Sequence, residues 1–145
     1  MQGLPHTYQS TAAASAGSLV TASTDGQPDL TIGPPTNFGG PGDTHTPEDL
    51  QCAAIASCFI LSFKAIAAAS KLEWEGLSVA VSGELDQVER AIQFTGFSTR
   101  AELDLGADAS RDKAERLLQK AEQSCFITNS LKAESALEMV INGGE

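Results

Sequence analysis

The chain has 145 residues, of which 41% are hydrophobic and 19% charged, which suits one globular domain with a real core and leaves little room for two. We therefore predict a single domain over residues 1–145. The formal net charge of −10 disfavours binding to phosphate backbones or anionic lipid surfaces, because both need clustered Lys and Arg, so we expect neither nucleic acid nor a membrane as a partner.

The first third of the chain predicts short strands joined by turns. Residues 11–43 are rich in Ser, Thr, Gly, Pro and Asp, with short apolar pieces at 18–22 and 30–32. Asp25-Gly26 is a typical hairpin turn, and residues 33–42, with their prolines and glycines, form a shaped loop.

A long helix follows. Thr46 is suited to cap it, Pro47 suits its first turn, and the carboxylates of Glu48 and Asp49 favour the positive end of the helix dipole. The pattern predicts a helix as far as about residue 70, apolar nearly all round and therefore covered on every side by the protein. Lys64 inside the run and the many small alanines favour a buried core helix over a membrane span.

The second half alternates strands and a helix. Residues 77–85 and 97–105 alternate apolar and polar side chains, which predicts two half-buried antiparallel strands. A second helix is predicted from Ser110, with Cys125 on its inward face near its end, and a last strand at about 136–141. This order of elements indicates an α+β domain.

The three cysteines are the candidates for chemistry. An odd number of cysteines, and residues 1–8 without the features of a signal peptide, lead us to expect a reducing, cytoplasmic setting. Cys52 shares a helical stripe with bulky apolar residues and is expected in the core, whereas Cys58 lies on a face of mostly small residues that admits a close neighbour. Cys52 and Cys58 are about 9 Å apart along a regular helix, and a disulfide needs Cα atoms within about 7 Å, so any internal bridge uses Cys125.

A metal site is the other chemistry that these residues allow. His6 and His45 are available to join the thiols, but the chain has no C-x-x-C or H-x-x-H spacing. We therefore predict neither a metal nor a cofactor, and we expect His45 to be a loop residue.

Five segments resemble the OsmC and organic hydroperoxide resistance superfamily. They are Phe38-Gly39-Gly40, Thr46-Pro47-Glu48-Asp49-Leu50, Ala56-Ser57-Cys58-Phe59, Ala121-Glu122-Gln123-Ser124-Cys125 and Ser130-Leu131-Lys132-Ala133-Glu134. The order of elements matches as well. The resemblance implies antiparallel sheets packed around a long central helix plus a second helix, in an interwound homodimer with two active sites near the subunit interface.

The resemblance also implies an antioxidant activity in the oxidative stress response. Cys58 corresponds to the peroxidatic cysteine, which attacks an organic hydroperoxide and becomes a sulfenic acid, and Cys125 corresponds to the resolving cysteine, which closes a disulfide. An external dithiol, in some relatives a lipoylated protein, then reduces the bridge. Glu48 corresponds to a glutamate that helps to organise the site. Since about 15 Å of helix separates Glu48 from Cys58, we predict that it reaches the partner subunit's Cys58, or that it only stabilises the helix start.

The chain departs from the family in one respect. Family members carry an arginine in the N-terminal strands that favours the thiolate, but the first Lys or Arg here is Lys64. Without a cation, an apolar environment is expected to raise the pKa of Cys58, and Arg100 and Lys132 are the candidates to substitute. Two functions therefore stay open: a hydroperoxide reductase, preferentially for aliphatic or aromatic peroxides bound beside Phe38, Phe59 and Phe126, and a binding or redox-sensing module with little peroxidase activity.

Overall fold

Three short strands form an antiparallel sheet in the first fifty residues of the computed structural model, which describes residues 2–145. In sequence order they are β1 (Thr11–Ala13), β2 (Val20–Ser23) and β3 (Leu30–Ile32), and they follow the same order in the sheet. The predicted turn at Asp25-Gly26 is confirmed. Gly26 has a φ of 78°, which glycine adopts without strain, and the N–H of Gln27 donates to the carbonyl of Thr24 at 3.0 Å.

The long helix α1 (Pro47–Ala69) begins where the sequence predicts. The hydroxyl of Thr46 accepts a hydrogen bond from the N–H of Asp49 at 3.0 Å and donates to the carboxylate of the same residue at 2.8 Å, so the predicted cap is confirmed. The chain divides into two compact units between Leu50 and Gln51. The single domain expected from the sequence stays a prediction.

In the second unit α1 buries one stripe rather than its whole circumference. Ile55, Phe59, Phe63 and Ala67 are buried, but Leu61 on the opposite side is 65% exposed. The expectation that the protein covers every side of this helix is therefore wrong for a single chain, because hydropathy reports which side chains are apolar and not what covers them. The helix is long and apolar enough to cross a membrane, a property it shares with the core helices of many proteins.

A three-stranded sheet follows α1. Strands β4 (Gly76–Val88) and β5 (Ala91–Asp104) form the predicted antiparallel hairpin, with a bulge between Glu84 and Leu85. The last strand, β6 (Glu134–Asn142), pairs with β5 in parallel, where antiparallel sheets are expected. The parallel pairing is possible because helices cross over the sheet between β5 and β6.

Two helices connect β5 to β6. Helix α2 (Arg111–Gln123) is capped by Ser110, whose hydroxyl accepts from the N–H of Lys113 at 3.2 Å, and the four-residue helix α3 (Phe126–Asn129) follows it. The core of this unit brings together side chains from α1, β5 and α2, among them Phe59, Phe63, Ala101, Leu103, Leu118 and Ala121. The α+β class is confirmed.

Candidate active site

The structure brings two of the three cysteines together. Cys58 lies in the middle of α1 and is half-buried, whereas Cys125 lies just before α3 and is only 1% exposed. The thiol of Cys125 donates a hydrogen bond to the sulfur of Cys58. No disulfide joins the described residues, so the pair is present as two thiols in contact. Cys52, which the sequence places in the core, is partly exposed.

The chain turns sharply at Cys125, and this turn gives the site its geometry. The N–H of Ser124 closes α2 by donating to the carbonyl of Lys120 at 3.0 Å. Cys125 then has an extended backbone, with φ −70° and ψ 111°, and is the N-cap residue of α3. Cys125 is thus on the inward side as predicted, but it follows α2 instead of belonging to it. The first N–H groups of α3 are left without partners inside the helix.

Those N–H groups face Cys58. Burial raises the pKa of the Cys58 thiol, but hydrogen bonds to its sulfur lower it by more. The donors are, in decreasing order, the N–H of Ile127, the thiol of Cys125, the N–H of Phe126 and the hydroxyl of Ser62. The net effect places the pKa of Cys58 below the ordinary 9.0, so the expectation of a raised pKa is wrong. Burial alone would raise this pKa, and the backbone donors that reverse its effect are not evident from the sequence.

Among residues 2–145, neither Arg100 nor Lys132 is one of the groups that lower the pKa of Cys58. The guanidinium of Arg100 lies 3.1 Å from the carboxylate of Glu102 and 3.9 Å from that of Glu138, in a solvent-exposed group. Lys132 is exposed, and none of the groups that lower the pKa of Cys58 is a cation. Backbone and side-chain dipoles therefore favour the thiolate in this unit.

Cys125 has its own polar neighbours. The hydroxyl of Thr128 donates to its Sγ at 3.2 Å, and its N–H donates to the carbonyl of Glu122 at 3.3 Å. Burial raises the pKa of the Glu122 carboxyl. Neither Ser62 nor Thr128 was predicted from the sequence. Ser62 left a usable signal, because it is four residues after Cys58 on one helix face, whereas the position of Thr128 has meaning only once the structure shows that Cys125 is the N-cap of α3.

Glu48 belongs to the first unit. It lies in the first turn of α1, and its Oε1 atom is buried with no hydrogen-bond donor among residues 2–145. The side chain lines a mostly apolar cavity of about 430 Å³ together with Phe38 and Leu19. Its predicted role towards the partner subunit's Cys58 stays a prediction.

The predicted phenylalanine entrance is only partly supported. Phe38 and Phe126 are exposed, at 54% and 77%, but Phe59 is 1% exposed and belongs to the core. A groove of about 610 Å³ in the second unit is lined by strand residues around Gly83 and Gly96 and by no cysteine. No cluster of three or more His, Cys, Asp or Glu side chains suited to a metal occurs in the described part of the chain, so the alternative of a metal site gains no support there.

Comparison with known proteins gives a consistent assignment. The family model for "OsmC-like protein" matches residues 40–140. The chain is 29% identical over 117 residues to the uncharacterised protein YmaD of Bacillus subtilis (strain 168), covering 77% of this chain and 78% of that protein. It is 36% identical over 114 residues to an organic hydroperoxide resistance protein of Xanthomonas axonopodis pv. citri (strain 306), covering 76% of each.

Solved structures agree with this fold. The crystal structure of an organic hydroperoxide resistance protein OsmC from Legionella pneumophila superposes with a TM-score of 0.75 at 24% identity, covering 95% of this chain and 99% of that one. The family model covers most of the chain, and the paired thiols lie in the segments that carry the resemblance. This protein therefore belongs to the OsmC-like protein family.

Proposed function

We propose that this protein reduces organic hydroperoxides by a dithiol–disulfide cycle in which Cys58 is peroxidatic and Cys125 is resolving. The observation that carries the proposal is the set of hydrogen bonds to the sulfur of Cys58 from the N–H groups of Ile127 and Phe126 and from the thiol of Cys125. A thiolate is the attacking species in this chemistry, and these donors stabilise it. The name of the Xanthomonas relative, an organic hydroperoxide resistance protein, supports the choice of substrate class.

The cycle has three steps. The thiolate of Cys58 attacks the distal oxygen of the hydroperoxide, an S–O bond forms as the O–O bond breaks, and the alkoxide takes a proton from water to leave as an alcohol. The thiol of Cys125 then attacks the sulfenic acid on Cys58, and an S–S bond forms as water leaves. An external dithiol, such as a lipoylated protein, reduces the disulfide by thiol–disulfide exchange.

The difference in burial between the two thiols supports their different roles. Cys58 is half-buried, so a small peroxide has access to its sulfur, whereas Cys125 is 1% exposed and is shielded from direct oxidation. The hydrogen bond between the two thiols supports this pairing, because it makes Cys125 a direct neighbour of the sulfur that is oxidised. The exposed side chain of Phe126, next to Cys125, supports an apolar substituent on the peroxide.

We further propose a cytoplasmic homodimer in which Glu48 contributes to the site of the partner subunit. The unpartnered Oε1 of Glu48 and the uncovered side of α1 around Leu61 support this assembly, because a second copy would cover apolar surface and supply donors. Sedimentation of wild-type protein and of Leu61→Lys tests it. A dimer that weakens in the variant supports the assembly, and a wild-type monomer at high concentration contradicts it.

A thiol count tests the activity. Reduced protein is exposed briefly to stoichiometric cumene hydroperoxide, and the remaining thiols and the bridge are mapped by peptide mass spectrometry. We expect rapid loss of two thiols with a Cys58–Cys125 disulfide, a persistent sulfenic acid on Cys58 in Cys125→Ser, and no rapid oxidation in Cys58→Ser. Cys52→Ser is the matched control and should behave as wild type. Survival of all three thiols would overturn the proposal and favour the binding or redox-sensing module.

A further inference from the structure

The thiol of Cys125, the proposed resolving residue, accepts a hydrogen bond from a hydroxyl group. Thr128, in the single turn of α3, donates its hydroxyl proton to the Sγ of Cys125 at 3.2 Å. Cys125 in turn donates its thiol proton to the sulfur of Cys58. The three side chains thus form a directed chain of hydrogen bonds that ends on the sulfur that is oxidised.

This bond differs from the usual one for a hydroxyl in a short helix. Ser130, at the end of α3, donates to the backbone carbonyl of Phe126 at 2.8 Å, which is the common local pattern. The hydroxyl of Thr128 instead donates its hydrogen bond to the sulfur of the buried Cys125. A thiol has one proton, so a sulfur that accepts from Thr128 is left with its own proton for Cys58.

We propose that Thr128 is a positioning residue for the resolving step, whose hydroxyl stabilises the negative charge that develops on the sulfur of Cys125. The inference rests on the proposed peroxidase cycle. Once Cys58 is a sulfenic acid, the sulfur of Cys125 forms the S–S bond, the S–O bond of the sulfenic acid breaks, and the thiol proton leaves with the hydroxyl as water. The hydroxyl of Thr128 strengthens its bond to Cys125 as that proton departs, because hydrogen bonds to charged groups are stronger.

The hydroxyl acts on the second step and not on the first. Thr128 does not contribute to the pKa of Cys58, whose donors are Ile127, Cys125, Phe126 and Ser62. Removing the hydroxyl should therefore leave the attack on peroxide unchanged and slow disulfide closure by about tenfold, the effect of losing one hydrogen bond to a developing charge.

The test separates the two steps in time. Thr128→Val, Thr128→Ala and Thr128→Ser are mixed with one equivalent of cumene hydroperoxide, and samples are quenched with dimedone, which traps the sulfenic acid, or by acid for the disulfide. We expect wild-type loss of the Cys58 thiol in all three, a sulfenic acid that lives about ten times longer in the valine and alanine variants, and wild-type closure in the serine variant. Ser130→Ala is the matched control for loss of a hydroxyl next to the same helix, since Ser130 is the C-cap residue of α3, and it should close at the wild-type rate.

Three results would overturn the inference. Closure at the wild-type rate in both Thr128→Val and Thr128→Ala would remove Thr128 from the mechanism and leave the peroxidase proposal intact. Equal slowing in Ser130→Ala would show that α3 is merely loosened. Wild-type protein whose Cys58 is not oxidised would overturn the proposed function and this inference together, and the thiol count of the wild type distinguishes that case.

Discussion

Replacement of Phe126 by proline tests whether the backbone of α3 activates Cys58. Phe126 is the first residue of α3, where proline is well tolerated, and its side chain is 77% exposed. The residue before it, Cys125, already has the extended backbone that a residue preceding proline requires. The substitution therefore removes one N–H donor from the sulfur of Cys58 with little disturbance of packing. Phe126→Ala is the matched control, because it removes the same side chain and keeps the N–H.

The size of the effect follows from one lost hydrogen bond. Such a bond contributes about 0.5–1.5 kcal/mol, and water competes for the partly exposed sulfur of Cys58, so the lower half of that range applies. The population of thiolate near neutral pH should then fall about two- to fivefold in Phe126→Pro relative to Phe126→Ala. The N–H of Ile127, the larger donor, is retained in both variants.

The assay is alkylation by iodoacetamide over a range of pH, read for the peptide containing Cys58 by mass spectrometry. Only the thiolate reacts, so the rate rises as pH rises through the pKa of Cys58, which lies below 9.0 in the wild type. Removing a donor raises that pKa, so the proline variant should be slower near neutral pH and equal to the alanine variant at alkaline pH. Equal rates in the two variants at every pH would refute the role assigned to the backbone of α3.

Two further predictions concern the neighbours of the site. Ser62→Ala should slow alkylation of Cys58 near neutral pH by about twofold or less, because Ser62 is the weakest of the donors. Ser57→Ala is the control, since it loses only a hydrogen bond to the carbonyl of Ala53, and it should match the wild type. Equal slowing in both variants would contradict the role of Ser62. Burial raises the pKa of Glu122, so the folded protein holds the carboxyl proton of Glu122 more tightly than the unfolded chain does. The stability that this group contributes is therefore present at acid pH and is lost as the pH rises through the folded-state pKa. Glu122→Gln should therefore increase the free energy of unfolding near neutral pH, by less than about 1 kcal/mol because the side chain is partly exposed, and should give no gain at acid pH. Urea unfolding at both pH values measures the change. A variant that is less stable than the wild type near neutral pH would contradict the prediction.

Much of the fold could be predicted from local patterns. The cap at Thr46, the turn at Gly26 and the alternation along β4 and β5 are confirmed, because each depends on side chains close together in sequence. The helical phase of α1 likewise separated the stripe of Phe59 and Phe63 from the face that carries Cys58.

The tertiary structure determined which groups contact the faces of α1. The sequence alone determined which residues are apolar, which cap helices and which cysteine has small neighbours, because these are properties of local spacing. It did not determine that β6 runs parallel to β5, that one side of α1 is left uncovered, or that Cys125 starts a new helix. The last of these sets the chemistry of Cys58. Every residue except proline has the same backbone N–H group. The sequence therefore does not show which of these groups will donate to the sulfur of Cys58, because their position depends on how the chain folds.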